Sequence, residues 1–145
     1  MEGGPDPIEV AVRALRHRDR SRRQVEERLA RAGVGEDRRA RALETLEHVG
    51  YLDDGRFAAG RAAALVARGH GDAAIAHLLE ADGIAAEVVQ DVLAALEPEV
   101  DRARRELAGG REPRRCAARL LRKGFAPESV EEALGGGFAV EVEEA

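Results

Sequence analysis

Three charged residues close together in the sequence, Asp53, Asp54 and Arg56, are the first candidates for catalysis. A pair of carboxylates can act as general acid and general base. The sequence places no histidine and no nucleophilic side chain beside them, and Asp53 stands where a helix N-cap is expected. We therefore predict a structural role for this trio and no enzymatic activity.

Histidine and cysteine are the next candidates, because they could hold a metal ion. His70 and His77 are seven residues apart without a further His or Cys at metal-ligand spacing, and His17 and His48 are isolated. The single cysteine, Cys116, takes an apolar position of an internal repeat, which predicts a buried thiol. The sequence contains neither a G-x-x-x-x-G-K-[ST] loop nor a G-x-G-x-x-G motif. We predict no metal and no cofactor.

Arginine supplies the remaining candidate chemistry. The net charge is −5, yet residues 8–41 contain 11 basic and 6 acidic side chains and residues 101–125 contain 9 and 3. The intervening residues 51–100 and the last residues 126–145 are acidic. Arginine binds phosphate and carboxylate groups through a planar fork of donors. Two basic blocks therefore indicate a polyanionic or acidic partner that is contacted at two places.

Helical spacing gathers part of the second block on one face. At 100° per residue, Arg111, Arg115 and Arg122 fall on the side of a helix opposite Cys116 and Leu120. The alternative interpretation is a solvated helix face with intrahelical ion pairs. The candidate residues for binding a partner or nucleic acid are Arg20, Arg22, Arg23, Arg31, Arg111, Arg114, Arg115, Arg122 and Lys123.

The composition predicts an all-α protein. Aromatic residues make up 3% of the chain, and Ala, Leu, Arg and Glu dominate, whereas sheets favour aromatic and β-branched residues. Few aromatics also disfavour a single-strand binder that stacks successive bases. Apolar runs are much shorter than a membrane span. We expect a soluble, cytoplasmic protein without membrane association.

An internal repeat organises the chain. The segments VEERLARAGV, IAHLLEADGI and CAARLLRKGF each end in a glycine and an apolar residue, and they align on Gly33, Gly83 and Gly124. The glycine is typical of a left-handed helix C-cap, and apolar residues four apart share one helix face. The aligned apolar pairs are Val25 and Leu29, Ile75 and Leu79, and Cys116 and Leu120.

Each repeat is expected to contain three helices, so we predict nine short helices in three units. Ser21 and Gln24 form a capping box for the helix of the first segment, and Asp53 is expected to cap the fourth helix. The predicted parts are a disordered N-terminus (1–7), three-helix repeats (8–50, 51–97 and 98–134) and an acidic disordered tail (135–145).

The stretch GYLDDGRFA, residues 50–58, carries a resemblance to a known family. With RSRRQVEERLARAG before it and G-x-x-x-I-x-x-x-L-x-x-x-G-I after it, the sequence resembles the RecX regulatory proteins over residues 10–134. The segment RRCAARLLRKGFAPESVEEAL resembles the last repeat of that family. A structural role, as a fixed corner between the first two repeats, is expected for the signature residues Gly50, Tyr51, Leu52, Asp53, Asp54, Arg56 and Phe57.

The resemblance implies three tandem three-helix repeats in an elongated, curved arrangement. It implies a negative modulator that binds the filament of the RecA recombinase in its groove and limits filament growth, ATP hydrolysis, strand exchange and co-protease activity. Weak binding of single- or double-stranded DNA and a monomeric state are also expected. The chain departs from the family because no Lys or Arg stands between Arg68 and Arg102, where members usually carry several basic residues.

Two other functions fit an all-helical repeat with basic blocks. A helix-turn-helix-like module could place a basic helix in the major groove of DNA, but the acidic total charge and the absence of Asn, which reads adenine, count against it. A helical adaptor for an unrelated protein is the other alternative.

Overall fold

The fold is a chain of short helices, as given by a computed structural model that describes residues 4–135. This range contains nine α-helices and no strand, so the predicted all-α class is confirmed there. Residues 136–145 of the predicted tail, and 1–3 of the predicted N-terminus, lie outside the described residues. The helices are α1 (Pro7–His17), α2 (Arg22–Arg31), α3 (Glu36–His48), α4 (Asp54–Ala67), α5 (Asp72–Ala81), α6 (Ala86–Ala95), α7 (Glu99–Ala108), α8 (Pro113–Arg122) and α9 (Pro127–Ala133).

The helices pack in three groups of three, α1–α3, α4–α6 and α7–α9. Extensive contacts between helices occur within each group, and each group encloses its own hydrophobic core. The predicted limits of the three units fall in the connections between α3 and α4 and between α6 and α7. The aligned leucines, Leu29, Leu79 and Leu120, are each at most 1% exposed, so their predicted burial is confirmed.

Local signals end the second helix of each group as predicted, and a predicted capping box starts the second helix of the first group. Ser21 and Gln24 form the capping box, in which the Ser21 hydroxyl accepts from the Gln24 amide at 3.2 Å. Gly33, Gly83 and Gly124 have φ between +86° and +90°, the left-handed conformation that favours glycine. The amide of the following apolar residue then donates back to the carbonyl of the aligned leucine in each group, at 3.0–3.1 Å. The same backbone motif therefore recurs three times.

The three second helices are stacked end to end. The N terminus of α5 meets the C terminus of α8, where the Gly71 and Ala73 amides donate to the Lys123 and Gly124 carbonyls at 2.8 and 3.2 Å. Carbonyl groups at one helix end thus satisfy amide groups at the next helix start, which neither helix could satisfy internally. We call this contact the α8–α5 joint.

A second joint connects α5 to α2. The buried Ser21 hydroxyl donates to the Asp82 carbonyl at 2.7 Å, and the Arg23 guanidinium donates to the Ala81 carbonyl. The Gln24 side-chain amide also donates to the Asp82 carboxylate at 3.4 Å. The column therefore runs α8, α5, α2, with the C terminus of each helix facing the N terminus of the next.

A carboxylate at the start of a neighbouring helix reinforces each joint. Asp54, the first residue of α4, accepts from the Arg22 amide at the start of α2 at 2.7 Å. Glu99, the first residue of α7, accepts from the Asp72 amide at the start of α5 at 2.6 Å, and its second oxygen accepts from the Ala126 amide at 2.9 Å. Each group thus caps the second helix of the group before it.

A buried arginine also crosses the α8–α5 joint. Arg102 of α7 is 3% exposed and donates to the Glu97 and His70 carbonyls at 3.0 and 3.2 Å. Its guanidinium also pairs with the Asp72 carboxylate and lies 5.7 Å from the centroid of the Phe125 ring. Burial raises the pKa of the Asp72 carboxyl, and the attraction of Arg102 offsets part of that rise.

We predict that Gly71→Ala weakens the α8–α5 joint. A Cβ at this position would stand 2.4 Å from the Phe125 nitrogen and 2.5 Å from the Gly124 carbonyl carbon, so backbone must shift. The expected loss is about 1–3 kcal/mol in the free energy of unfolding, measured by urea denaturation. The control is Gly60→Ala in α4, where a Cβ meets nothing within 4 Å and stability should rise by about 0.5–1 kcal/mol. Equal stability of the two variants would contradict the joint.

We predict that Arg102→Met destabilises the protein more at neutral than at acidic pH. Removing the cation raises the pKa of Asp72 further, because burial and Glu99 still disfavour the ionised carboxylate. The folded state then binds that proton more tightly than the unfolded chain, so stability falls as the pH rises through this pKa. The expected loss near neutral pH is about 1–3 kcal/mol.

Denaturant unfolding between about pH 4 and pH 7, together with a carboxyl NMR titration of Asp72, measures this effect. Arg105→Met is the control, because Arg105 lies on the same helix and its ion pair with Glu97 is exposed. A loss of stability that is independent of pH in the Arg102 variant would show that Asp72 does not depend on this cation.

Candidate partner-binding surfaces

Four arginine side chains line one groove along α8. The groove has a volume of about 470 Å³ and is lined by Gly110, Arg111, Glu112, Arg115, Cys116, Arg119 and Arg122. We call it the arginine groove. Arg115, Arg119 and Arg122 follow the i, i+4, i+7 spacing that puts residues on one helix face.

The structure changes the predicted arginine stripe in two ways. Arg111 does not lie on the helix, so the prediction of one helical row through Arg111 is wrong. Helix α8 begins only at Pro113, which is suited to a first helical position, and Arg111 precedes it while still lining the groove. The sequence analysis missed Arg119, although its position four residues after Arg115 and three before Arg122 was a usable signal.

Carboxylates compensate only part of the charge in the groove. Arg115 pairs with Glu112 at 3.5 Å, and Arg119 pairs with Glu106 at 3.5 Å. The Arg115 side chain is 84% exposed, and ion pairs this exposed contribute little to stability. Arg111 and Arg122 have no ion pair among residues 4–135. Four guanidinium groups therefore face two carboxylates, and the groove keeps a positive charge.

Cys116 forms part of the groove floor. It is 7% exposed, so the predicted burial is confirmed. Its thiol contacts polar groups, since Sγ donates to the Glu106 carbonyl at 3.5 Å and accepts from the Arg119 guanidinium at 3.4 Å.

The two other candidates of this block lie outside the groove lining. Arg114 is exposed in the first turn of α8. Lys123 belongs to the α8–α5 joint through its carbonyl, and its ammonium donates to the Arg68 carbonyl at 3.4 Å.

The structure gives intramolecular partners to three of the four candidate arginines in the first group. Arg20 donates to the Ala14 carbonyl at 3.1 Å. Arg22 pairs with Glu47 at 2.6 Å. Arg23 is held in the α5–α2 joint. Their guanidinium groups serve the fold of this chain.

Arg31 has no such partner among the described residues and belongs to a basic surface of the first group, which includes the C-terminal end of α2. Burial lowers the pKa of the Arg20 guanidinium, and the positive charges of Arg18, Arg28 and Arg31 lower it further. These three arginines are exposed, and Arg28 and Arg31 lie in the last turn of α2. We call the exposed residues Arg18, Arg28 and Arg31 the first basic patch. Sequence analysis named Arg31 and missed Arg18 and Arg28, which the folded chain brings close enough to act on the same Arg20 guanidinium.

The signature residues 50–58 connect the first two groups. Arg56 pairs with Asp19 of the α1–α2 connection at 3.3 Å and donates to the Gly50 and Tyr51 carbonyls at 3.0 and 3.1 Å. Gly50 has a φ of +83°, which allows the chain to turn back toward Arg56.

The remaining signature residues complete this connection. The Asp53 carboxylate caps α4 by accepting from the Arg56 amide at 3.0 Å, so the predicted cap is confirmed, and Asp54 caps α2. Leu52 is buried in the first core and Phe57 in the second, whereas the Tyr51 side chain is 58% exposed. These contacts fix the angle between the groups and engage both carboxylates as helix caps.

Among residues 4–135, no group of three His, Cys, Asp or Glu side chains is close enough to hold a metal ion. In the same range no helix has the length and apolar character needed to cross a bilayer.

Comparison with known proteins gives consistent matches. The regulatory protein RecX of Halorhodospira halophila is 37% identical over 134 residues, which cover 84% of this chain and 82% of that protein. RecX of Mycobacterium leprae is 32% identical over 92% of this chain and 86% of that protein. The crystal structure of RecX from Lactobacillus salivarius superposes with a TM-score of 0.78 at 18% identity and covers 90% of this chain and 93% of that one. A scan against models of protein families finds no match.

Proposed function

This chain belongs to the RecX family of regulatory proteins, and we propose that it is a negative modulator of the RecA recombinase. In this proposal the protein binds in the helical groove of the RecA–DNA filament. It thereby limits filament growth, ATP hydrolysis, strand exchange and co-protease activity during DNA repair. The protein acts in the cytoplasm as a monomer and breaks no bond.

The placement of positive charge supports the proposal most directly. The arginine groove runs along α8, at one end of the helix column, and Arg28 and Arg31 of the first basic patch lie in the last turn of α2, at the other end. Helix α5 between them carries no Lys or Arg. Each of the three helices has 10 residues, which corresponds to about 15 Å per helix. Two separated cationic surfaces can bind an assembly in which neighbouring subunits each present the same acidic surface.

The two joints keep the arginine groove and the first basic patch at a fixed separation. Because the ends of α8, α5 and α2 are hydrogen-bonded to one another, the distance between the two basic surfaces does not depend on a flexible linker. When one surface of a rigid body is bound, the second surface binds at a high effective concentration only if its spacing from the first matches the spacing of the two sites on the partner. In our proposal an elongated, curved body bridges neighbouring filament subunits and blocks DNA uptake and subunit addition.

Weak binding of single- or double-stranded DNA is a secondary proposal. The guanidinium groups of the arginine groove suit phosphate as well as carboxylate. Reading of bases by a helix-turn-helix is less favoured for α2 and α5, because a recognition helix enters the major groove with its N-terminal residues. The N termini of these two helices are covered by the joints, whereas the N terminus of α8 lies at the outer end of the column.

We predict that the purified protein lowers the rate of ATP hydrolysis by RecA on single-stranded DNA at less than one molecule per RecA subunit. A molecule that blocks subunit addition acts on a whole filament, so a small amount suffices. The measurement is a steady-state ATPase assay with increasing amounts of the protein. An unchanged rate at equimolar protein would overturn the proposed function.

We predict that reversing the charge of the groove with Arg111→Glu, Arg115→Glu and Arg122→Glu weakens binding to RecA-coated DNA strongly. The salt dependence of binding should also flatten, because fewer ionic contacts are lost as salt increases. Folding should change little, since exposed substitutions away from caps and core stay within about 0.5 kcal/mol each. The measurement is a binding isotherm over a salt series, with thermal unfolding as the check on folding.

A second triple variant provides the matched control. Arg13→Glu, Arg41→Glu and Arg68→Glu change the net charge equally at exposed arginines outside both basic surfaces. We expect a much smaller loss of binding in this control. If the control weakens binding as much as the groove variant, net charge alone explains the effect and the groove is not the contact surface.

A further inference from the structure

We propose that the acidic segment 136–145 docks into the arginine groove of the same chain and competes there with the partner. This regulation of the groove rests on the proposed function, whereas the docking itself does not. Residues 136–145 carry three glutamates, Glu141, Glu143 and Glu144, and no basic residue. The groove has four arginines against two glutamates, so the described residues compensate only part of its charge.

The spacing of the charges supports this match. Arg115 and Arg119 are separated by about 6 Å along α8, since a helix rises 1.5 Å per residue. In an extended backbone, Glu141 and Glu143 would lie on one side about 7 Å apart. Two carboxylates of the segment therefore suit successive guanidinium groups of the groove, and each such pair can form two parallel hydrogen bonds.

The segment starts from the same three-helix group that carries the groove. The described residues end at Gly135, and Leu134 packs on the same core as Leu107 near the end of α7. The chain continues from α7 through residues 109–112 directly into the groove. The six residues from Gly135 to Glu141 can extend up to about 20 Å. Such a short tether gives a local concentration in the millimolar range, so a few exposed ion pairs suffice for docking.

The test compares two variants of the full chain that lose the same charge. The tail variant is Glu141→Gln, Glu143→Gln and Glu144→Gln. The control variant alters three exposed glutamates of the first two groups that have no ion pair among the described residues, as Glu44→Gln, Glu80→Gln and Glu87→Gln. All measurements of docking are made without RecA and without DNA.

Backbone amide NMR at low salt is the first readout. We expect the tail variant to shift signals of residues 110–122 relative to the unsubstituted chain, and the control variant to leave them unchanged. The difference should disappear near 1 M salt, where the screening length is about 3 Å. Unchanged signals in this range, or shifts that appear instead at the first basic patch, would overturn the proposal.

The thiol of Cys116 is the second readout, because it lies in the groove and is the single cysteine of the chain. A neutral maleimide should label it several-fold faster in the tail variant than in the other two proteins. A neutral reagent is needed so that the groove charge does not itself alter the rate. Equal labelling rates would overturn docking, and protection that increases with protein concentration would assign it to the segment of a second copy.

Competition with the partner is then measured separately. The tail variant should bind RecA-coated DNA several-fold more tightly than the unsubstituted chain, whereas the control variant should not. Docking seen by NMR together with equal binding would overturn the regulatory part of the proposal. Loss of RecA binding in every protein would overturn the proposed function and leave the docking result standing.

Discussion

Hydrogen bonds between the ends of successive helices hold the three helix groups in one order. The last carbonyls of a helix and its first amides have no partner within the helix, and their burial without partners is costly. At the α8–α5 joint, the Gly71 and Ala73 amides meet the Lys123 and Gly124 carbonyls, and only a residue without a Cβ fits at Gly71. The separation of the arginine groove from the first basic patch depends on these contacts, and so does any function that requires two simultaneous contacts.

The sequence was sufficient to predict the groups because their determinants are local. A glycine with positive φ, an apolar residue after it and a leucine four residues before it form one backbone motif, which recurs at Gly33, Gly83 and Gly124. The capping box at Ser21 is equally local. The joints were not predictable in this way. The Ser21 hydroxyl also donates to the Asp82 carbonyl, 61 residues away, and no spacing rule within one helix indicates that contact.

The candidate surface was predicted less well, for the same physical reason. Helical spacing identified the face of α8 but extended the helix back to Arg111, beyond the proline at which it begins. Arg102 stands at the same position in α7 as the buried Phe57 in α4, three residues after the first residue of each helix. From the sequence alone, a charged residue at such a position is predicted to be exposed. The partners that allow Arg102 to be buried are Asp72 and Phe125, and both lie outside α7. Burial of charge is thus decided by contacts between groups.

The outer ends of the column differ in charge from its interior joints. At the interior joints the cationic side chains donate to backbone carbonyls, Arg23 to Ala81 and Lys123 to Arg68. At the outer ends arginines predominate, since Arg28 and Arg31 end α2 and Arg115, paired with Glu112, lies near the start of α8. A second copy that continued the column would bring these arginines together, and like charges in contact oppose association. The arginines that oppose further stacking remain directed toward solvent, where an acidic partner, or the acidic segment of the same chain, can pair with them.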